Sequence, residues 1–165
     1  MASTITASTL KVTIREDIKL NGVDHGGVTT LNIGSIDEIV KRIVTVSTSE
    51  TGLLGFATTS ATDLSKSYLA GLFDEDDVRY IRITNLDDTN HVGLIFKNED
   101  SDEFGVKLDY GQSFIYNGDL SGGVVDTMEA SGSAGISTNT YADLVDITAI
   151  ADTTACDVEI FVAST

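Results

Sequence analysis

The sequence predicts an all-β fold, namely a single-domain antiparallel β-sandwich with a jelly-roll-like arrangement of two sheets. Short segments in which apolar and polar residues alternate recur along the chain, and such alternation is typical of half-buried strands. Clusters of Gly, Asn, Asp and Ser separate these segments, as expected for turns. The length of 165 residues and the hydrophobic content of 41% fit one domain. We assign residues 1–9 to a short N-terminal arm and residues 10–165 to the β-sandwich domain.

The first strands surround two turn signals. Alternating apolar and polar residues predict strands at residues 10–15 and 28–33. Between them, the dipeptide Asn21-Gly22 is a typical turn sequence, and a Gly-Gly pair precedes the second strand. The N-terminal part of the domain is therefore expected to consist of strands joined by tight turns.

Residues 35–46 allow two interpretations. Their apolar side chains recur at helical spacing, and Ser35 with Glu38 forms a possible capping box. Nearly all of these apolar residues are β-branched, however, and β-branched side chains favour strands. We therefore predict a strand at residues 39–47.

Two stretches are less regular and are expected to be loops. Residues 47–72 are rich in Ser, Thr, Ala and Gly, around an apolar island at residues 53–56 and a possible helical turn at residues 63–70. Residues 118–140 are rich in Gly, Ser and Thr around the apolar pair Val124-Val125. Long loops of this kind often carry contacts.

The remaining chain has the clearest strand patterns. Residues 80–97 predict a hairpin with a polar loop at residues 85–90. The alternation continues beyond this hairpin, so that residues 80–117 predict a four-stranded meander. The chain is then expected to close with a hairpin formed by residues 144–152 and 156–163.

The charge limits the possible partners. The chain has 10 Lys and Arg against 26 Asp and Glu, a formal net charge of −16. Such a surface repels phosphates, so we expect no nucleic-acid binding and no binding to anionic membranes. An equally simple explanation is that the charge keeps a small protein soluble. The absence of proline removes one means of protecting strand edges, which favours a homo-oligomer.

The sequence carries no recognisable catalytic motif. Its two histidines, His25 and His91, lie in turn-like sequences without a nucleophile pattern, and no P-loop, G-x-S-x-G or H-E-x-x-H sequence is present. Acidic residues are abundant but occur in runs at turns, where they are usually solvated. The lone Cys156 excludes an internal disulfide and is expected to be a small buried side chain. We predict a protein that is not an enzyme and has no cofactor.

Calcium is the cation that the acidic turns suit best. Asp100 and Asp102, with Gly105, match the beginning of an EF-hand loop. The match then fails, because Phe104 and Gly111 stand where oxygen ligands are needed. Asp100 and Asp102 therefore remain a weak calcium possibility, and a solvated acidic turn is the alternative.

Three segments resemble a known class of protein. Residues 42–48, 78–90 and 157–163 are similar to small virion structural proteins of tailed bacteriophages, particularly phages of marine bacteria. The resemblance implies a β-sandwich or jelly-roll module on the phage particle, in some cases a head decoration or cement protein. It also implies a location on the virion after synthesis in the host cytoplasm, with the major capsid protein or other virion proteins as partners.

On this interpretation the protein works by contact, as an oligomer for which we predict a trimer. Contacts are expected in the arm and in the two irregular loops. The residues assigned to them are Thr4, Ile5, Leu53, Leu54, Phe56, Val124 and Val125.

Two alternatives remain open. One is a tail-associated or fibre-associated module that binds host-surface glycans with the same fold. The other is a calcium-stabilised extracellular adhesin of bacterial origin, which would gain thermal stability from calcium.

Overall fold

The computed structural model describes residues 5–57, 72–130 and 140–165, and within these ranges the chain is all-β with no helix. The N-terminal strands are β1 (Ser8–Glu16), β2 (Lys19–Leu20), β3 (Val23–Asp24), β4 (Gly27–Ile36), β5 (Glu38–Val46) and β6 (Thr51–Ala57). The later strands are β7 (Leu72–Asp74), β8 (Val78–Asn85), β9 (Val92–Asn98), β10 (Glu103–Leu108), β11 (Ser113–Asn117), β12 (Leu144–Ala151) and β13 (Cys156–Ser164). The predicted all-β class is confirmed.

Two sheets enclose the main core in a sandwich-like arrangement. One sheet has the strand order β10-β9-β12-β6-β7, and the other has the order β11-β8-β13-β5. All pairs in them are antiparallel except β6 with β7, which is parallel. Buried side chains come from both sheets, so each sheet depends on the other to cover its apolar face. The jelly-roll topology stays a prediction.

Phe96 is the centre of the aromatic part of this core. Its side chain is fully buried, and its ring stacks on Phe104 at 4.7 Å between ring centroids. Phe114 and Tyr116 approach the same ring from the opposite sheet at 5.1 and 5.8 Å. Since Phe104 lies beside Phe96 on β10, whereas the other two rings lie on β11, this cluster holds the two sheets together.

The predicted pairing of residues 80–97 is wrong. β8 and β9 are both present, but β8 pairs with β11 and β13, whereas β9 pairs with β10 and β12 in the other sheet. Residues 86–91 therefore form an arch that crosses between the sheets. The predicted four-stranded meander is wrong for the same reason. Alternation shows which side chains face the core, and it does not show which strand lies alongside.

The closing segment shows the same behaviour. β12 and β13 lie in different sheets, so the predicted final hairpin is wrong and residues 152–155 form a second arch. The connections from β5 to β6 and from β10 to β11 also cross between the sheets. By contrast, β9 and β10 are antiparallel neighbours and form a local hairpin.

The arches meet at one end of the sandwich, where the buried side chain of Asn85 joins them. Its amide nitrogen donates hydrogen bonds to the carbonyl oxygens of Asn90, at 2.9 Å, and Leu108, at 3.2 Å. Its amide oxygen accepts a hydrogen bond from the backbone N–H of Asp87 at 3.0 Å. Asn85 is 0% exposed, so these bonds satisfy a polar group that has no access to water.

Two strands show how the sequence pattern relates to the structure. The strand predicted at residues 39–47 is confirmed as β5, and its apparent helical spacing arises because Ile39 and Ile43 on its outward face are apolar as well. The apolar island of residues 53–56 belongs to strand β6, between β12 and β7, rather than to a loop. The predicted helical turn at residues 63–70 lies outside the described residues.

We predict that Asn85→Ala lowers the free energy of unfolding by about 2–3 kcal/mol, because the carbonyls of Asn90 and Leu108 and the N–H of Asp87 would lose their partner away from water. Urea denaturation monitored by circular dichroism measures this change. Asn32→Ala is the control, since Asn32 is exposed on β4 and its replacement is expected to change stability by less than about 0.5 kcal/mol. Equal effects of the two substitutions would contradict the role of Asn85.

Candidate functional surfaces

The N-terminal part of the chain forms a long two-stranded ribbon outside the two sheets. β1 and β4 are antiparallel partners, and their pairing runs from Ser8 opposite Ile36 to Glu16 opposite Gly27. The short strands β2 and β3 pair with each other at the far end. The Asn21-Gly22 turn has φ angles of 51° and 82°, which suits the tight hairpin predicted from the sequence. We call residues 8–36 the N-terminal ribbon.

The base of the N-terminal ribbon packs on the outer face of the four-stranded sheet. Ile33 and Ile36 are buried there against Tyr80 and Ala163. The surrounding partly buried side chains are Leu10, Val12, Leu31, Ile115 and Phe161. The Tyr80 and Phe161 rings meet edge to face at 6.0 Å, so the ribbon base rests on a small second core.

The outer half of the ribbon has no such support. Every residue from 13 to 30 is exposed, and we call this segment the ribbon tip. Its large apolar side chains include Leu20, 60% exposed, and Val23, 57% exposed, which lie opposite each other beside the turn. Ile14, Ile18 and Val28 are also exposed. A two-stranded hairpin is at best marginally stable alone in water, so this apolar tip is a candidate contact surface.

A second apolar surface lies on β5. This strand pairs with β13 on one side, and no other described strand pairs with it. Ile39 and Ile43 point away from the core and are 58% and 60% exposed. We call these two side chains the β5 patch. An edge strand with exposed apolar residues is a typical place for association.

Charge is distributed unevenly between these surfaces and the rest of the chain. Residues 1–46 contain five basic and five acidic residues, so their formal net charge is zero. The whole net charge of −16 therefore belongs to residues 47–165. The ribbon tip and the β5 patch both lie in the neutral part, where a close approach by another acidic protein meets the least repulsion.

A charged cluster borders the β5 patch on the same face. Glu159 contacts Lys41 at 3.0 Å and Arg82 at 2.8 Å. Hydrogen bonding from Lys41, followed by that from Arg82, holds the pKa of Glu159 below its usual value. The Arg82 guanidinium also lies over the Phe161 ring at 6.0 Å, which links this cluster to the ribbon base.

The structure changes the set of predicted contact residues. Four of them, Leu53, Leu54, Phe56 and Val124, are at most 3% exposed and belong to the main core. Their side chains are therefore not available to a partner. The prediction that they are contact residues, which depends on their loop-like surroundings in the sequence, is corrected. Val125 is half-buried.

The N-terminal arm is changed in extent. Thr4 lies outside the described residues, whereas Ile5 is 71% exposed and remains a candidate contact residue. β1 begins at Ser8, inside the arm predicted at residues 1–9. Sequence reasoning missed Leu20 and Val23 as candidate contact residues, although apolar residues on both sides of an Asn-Gly turn could have indicated them.

Asp100 and Asp102 lie at the turn between β9 and β10. Both are exposed, and the backbone N–H of Asp102 donates to the Asn98 side chain at 2.8 Å, which explains the turn without a cation. Within the described ranges, no group of three or more His, Cys, Asp or Glu residues is arranged to hold a metal ion.

A denser acidic region surrounds Glu75, which is only 7% exposed. Burial raises the pKa of Glu75, and the negative charges of Asp143, Asp76, Asp74 and Glu99 raise it further. The backbone oxygen of Glu75 accepts a hydrogen bond from Val124 at 2.7 Å, so the main chain at this residue is held in place. Ionised Glu75 is consequently a source of instability at neutral pH.

The remaining titratable groups show no catalytic pairing in the described residues. His91 contacts Asp152 at 3.4 Å at the arch end, and His25 is an exposed ribbon-tip residue whose backbone N–H donates to Ile18. Cys156 is buried as predicted, and burial raises the pKa of its thiol, so it is not an activated nucleophile. The absence of enzymatic activity stays a prediction.

Comparison with known proteins identifies no relative: no family model, curated protein or solved structure matches this chain. The described residues include no helix long and apolar enough to cross a membrane.

We predict that Glu75→Gln raises the melting temperature at pH 7.5 and has little effect at pH 4. Because the pKa of Glu75 is raised on folding, the cost of ionising it in the folded protein is present at high pH and disappears as pH falls below the ordinary value of 4.5. Differential scanning calorimetry at the two pH values measures the change.

Glu38→Gln is the control for the loss of one negative charge, since Glu38 is exposed on β5. An equal gain from Glu75→Gln at both pH values, or an equal gain from both variants at pH 7.5, would contradict the assignment.

Proposed function

We propose that the chain is a non-enzymatic structural protein of a tailed-phage virion, where it acts as a capsid decoration or cement protein. In this role it binds or bridges major capsid subunits. The resemblance of residues 42–48, 78–90 and 157–163 to such proteins supplies the class. The function consists of contact alone, so a rigid body and an accessible contact element are what it requires.

The exposed apolar surface of the N-terminal ribbon is the main observation that supports this proposal. It presents exposed apolar side chains on a segment of zero formal net charge, whereas the body of the protein is strongly acidic. Such a division is useful to a protein that must attach to a surface while its remaining faces stay hydrated and do not aggregate. The groove beside the ribbon does not suggest a small substrate, because its lining is largely apolar. Its charged residues are Lys11 and Arg82, and among the described residues the lining includes no carboxylate that could act with them as an acid or base.

The charge of residues 47–165 supports a place on the outer surface of the shell. Packaged DNA is a dense polyanion, and a body with a net charge of −16 is repelled by it. Many copies on a symmetric shell would add weak contacts whose combined effect resists the outward pressure of the genome. The outer surface of the head is therefore favoured over its inner, DNA-facing surface.

Co-sedimentation with capsids tests the proposal. Purified protein is mixed with mature, expanded shells and with unexpanded shells of the same phage, each stripped of the endogenous protein, and the pellets are quantified. Saturable recovery with mature shells, at a fixed number of copies per capsid subunit, is the expected result. Protein that stays in the supernatant with both kinds of shell would exclude the decoration role.

Two controls make the result specific. Shells that still carry their full complement of the protein should take up little more, because their sites are occupied. Pelleting with purified tails or binding on a glycan array, without binding to shells, would favour the tail-associated alternative instead.

A further inference from the structure

The course of the N-terminal ribbon determines which surfaces it can cover. Near its base, Leu10 and Lys11 line a cavity of about 310 Å³ together with Ile36 and Ile39, at the β5 side of the four-stranded sheet. Farther along, Ile14 lines a groove together with Ser113 and Ile115 of β11, the edge strand on the opposite side. The ribbon therefore crosses the outer face from β5 towards β11.

This course separates the two apolar surfaces within one molecule. The ribbon tip continues past Ile14 on the β11 side, and the β5 patch lies at the other edge of the same sheet. A single copy therefore cannot cover its own β5 patch with its own ribbon tip. Both surfaces stay exposed in the isolated chain, with Leu20 at 60% and Ile43 at 60%.

We propose that the ribbon tip of one copy packs on the β5 patch of a second copy, in a head-to-tail contact. The contact would place Leu20 and Val23 against Ile39 and Ile43, which removes apolar side chains of both copies from water. The two contacting surfaces differ from each other, so an open row of copies retains one free tip at one end and one free patch at the other until a ring closes. This inference deepens the proposed function by naming the contact between decorating copies.

Electrostatics favours a second copy as the occupant. Any contact through residues 47–165 would bring together two bodies that each carry a formal charge of −16. The tip and the patch both lie in residues 1–46, whose formal net charge is zero, so their apposition adds no net repulsion at the interface. The charges at the two surfaces are also complementary: residues 13–30 carry two basic and three acidic residues, a formal charge of −1, whereas Lys41, Arg82 and Glu159 beside the patch sum to +1.

Sedimentation equilibrium and light scattering of the purified chain test the proposal. The wild-type protein is expected to have a mass that is an integral multiple, greater than one, of 17.5 kDa. Leu20→Glu on the tip and Ile43→Glu on the patch are each expected to weaken association about 30-fold or more, since each places a charge in an apolar contact. A wild-type monomer at 100 µM, or variants that associate as wild type does, would overturn the proposal.

Ile150→Glu is the matched control. Ile150 is an exposed apolar residue on β12, in the other sheet, so the same added charge there should leave the mass unchanged. All replaced side chains are exposed, and unchanged circular dichroism spectra would verify that the variants fold. Loss of association in Ile150→Glu as well would show a general charge effect and overturn the assignment to tip and patch.

Mixing the two defective variants distinguishes a head-to-tail contact from a symmetric one. The Ile43→Glu variant still has an intact tip, and the Leu20→Glu variant still has an intact patch. An equimolar mixture should therefore form a 1:1 heterodimer that stops growing, because its other tip and patch are both altered. A mixture that stays monomeric would overturn the head-to-tail geometry.

The result is independent of the capsid experiment. Association through tip and patch without binding to shells would leave this inference standing and remove the decoration role. Binding of a monomer to shells would do the reverse.

Discussion

The buried amide of Asn85 is the interaction on which the arrangement of the two sheets depends. A chain that crosses between sheets leaves backbone polar groups at each crossing without a neighbouring strand, and these groups need partners away from water. The Asn85 side chain is the partner of three such groups, namely the N–H of Asp87 and the carbonyl oxygens of Asn90 and Leu108. Its own backbone N–H and oxygen pair with Gln112 and Gly111 at the neighbouring crossing. One residue therefore satisfies parts of two arches.

Neighbouring arch residues extend this network across the end of the sandwich. The side chain of Asn90 exchanges hydrogen bonds with Thr153 and Thr154 of the last arch. Backbone hydrogen bonds from Asn90 and Thr89 to Asp87 lower the pKa of that carboxyl group, which keeps Asp87 ionised and the turn in one conformation. The polar loop at residues 85–90, which could be mistaken for a binding site, is therefore explained by the needs of the fold.

The ribbon tip has a different physical character from the body. The ribbon tip is stabilised by few contacts and presents Leu20 and Val23 to solvent, whereas the body has a dense aromatic and aliphatic core around Phe96. The densely packed core and the exposed apolar side chains of the tip thus lie in separate parts of the chain. In the proposed role, the acidic surface of the body would limit association to the neutral segment and so provide specificity without a binding pocket.

Much of the fold could be predicted from the sequence, and the main errors share one cause. Alternation correctly indicated β1, β8 and β9, because the side-chain period of a strand depends only on local geometry, and β-branched composition indicated β5. Pairing depends on where the chain turns, and a loop such as residues 86–91 is long enough for either a hairpin or an arch.

The candidate surfaces were harder to predict for a related reason. Exposed apolar residues such as Ile39 and Leu20 look like core residues in a sequence, while buried ones such as Leu53 lie among small and polar residues that are typical of a loop. Only the three-dimensional arrangement separates the two groups, since burial is set by distant strands.

The central position of β13 has a consequence for the order in which the protein folds. β13 lies between β8 and β5, so neither of these strands has its full set of partners until residues 156–164 have been synthesised. The ribbon pairs only residues close in sequence, but its base packs on Tyr80 of β8 and Ala163 of β13, so it also lacks its support until the last strand is present. A growing chain would thus leave the apolar faces of both the sandwich and the ribbon base uncovered until β13 is added, and premature association through these faces is the hazard that such an order creates.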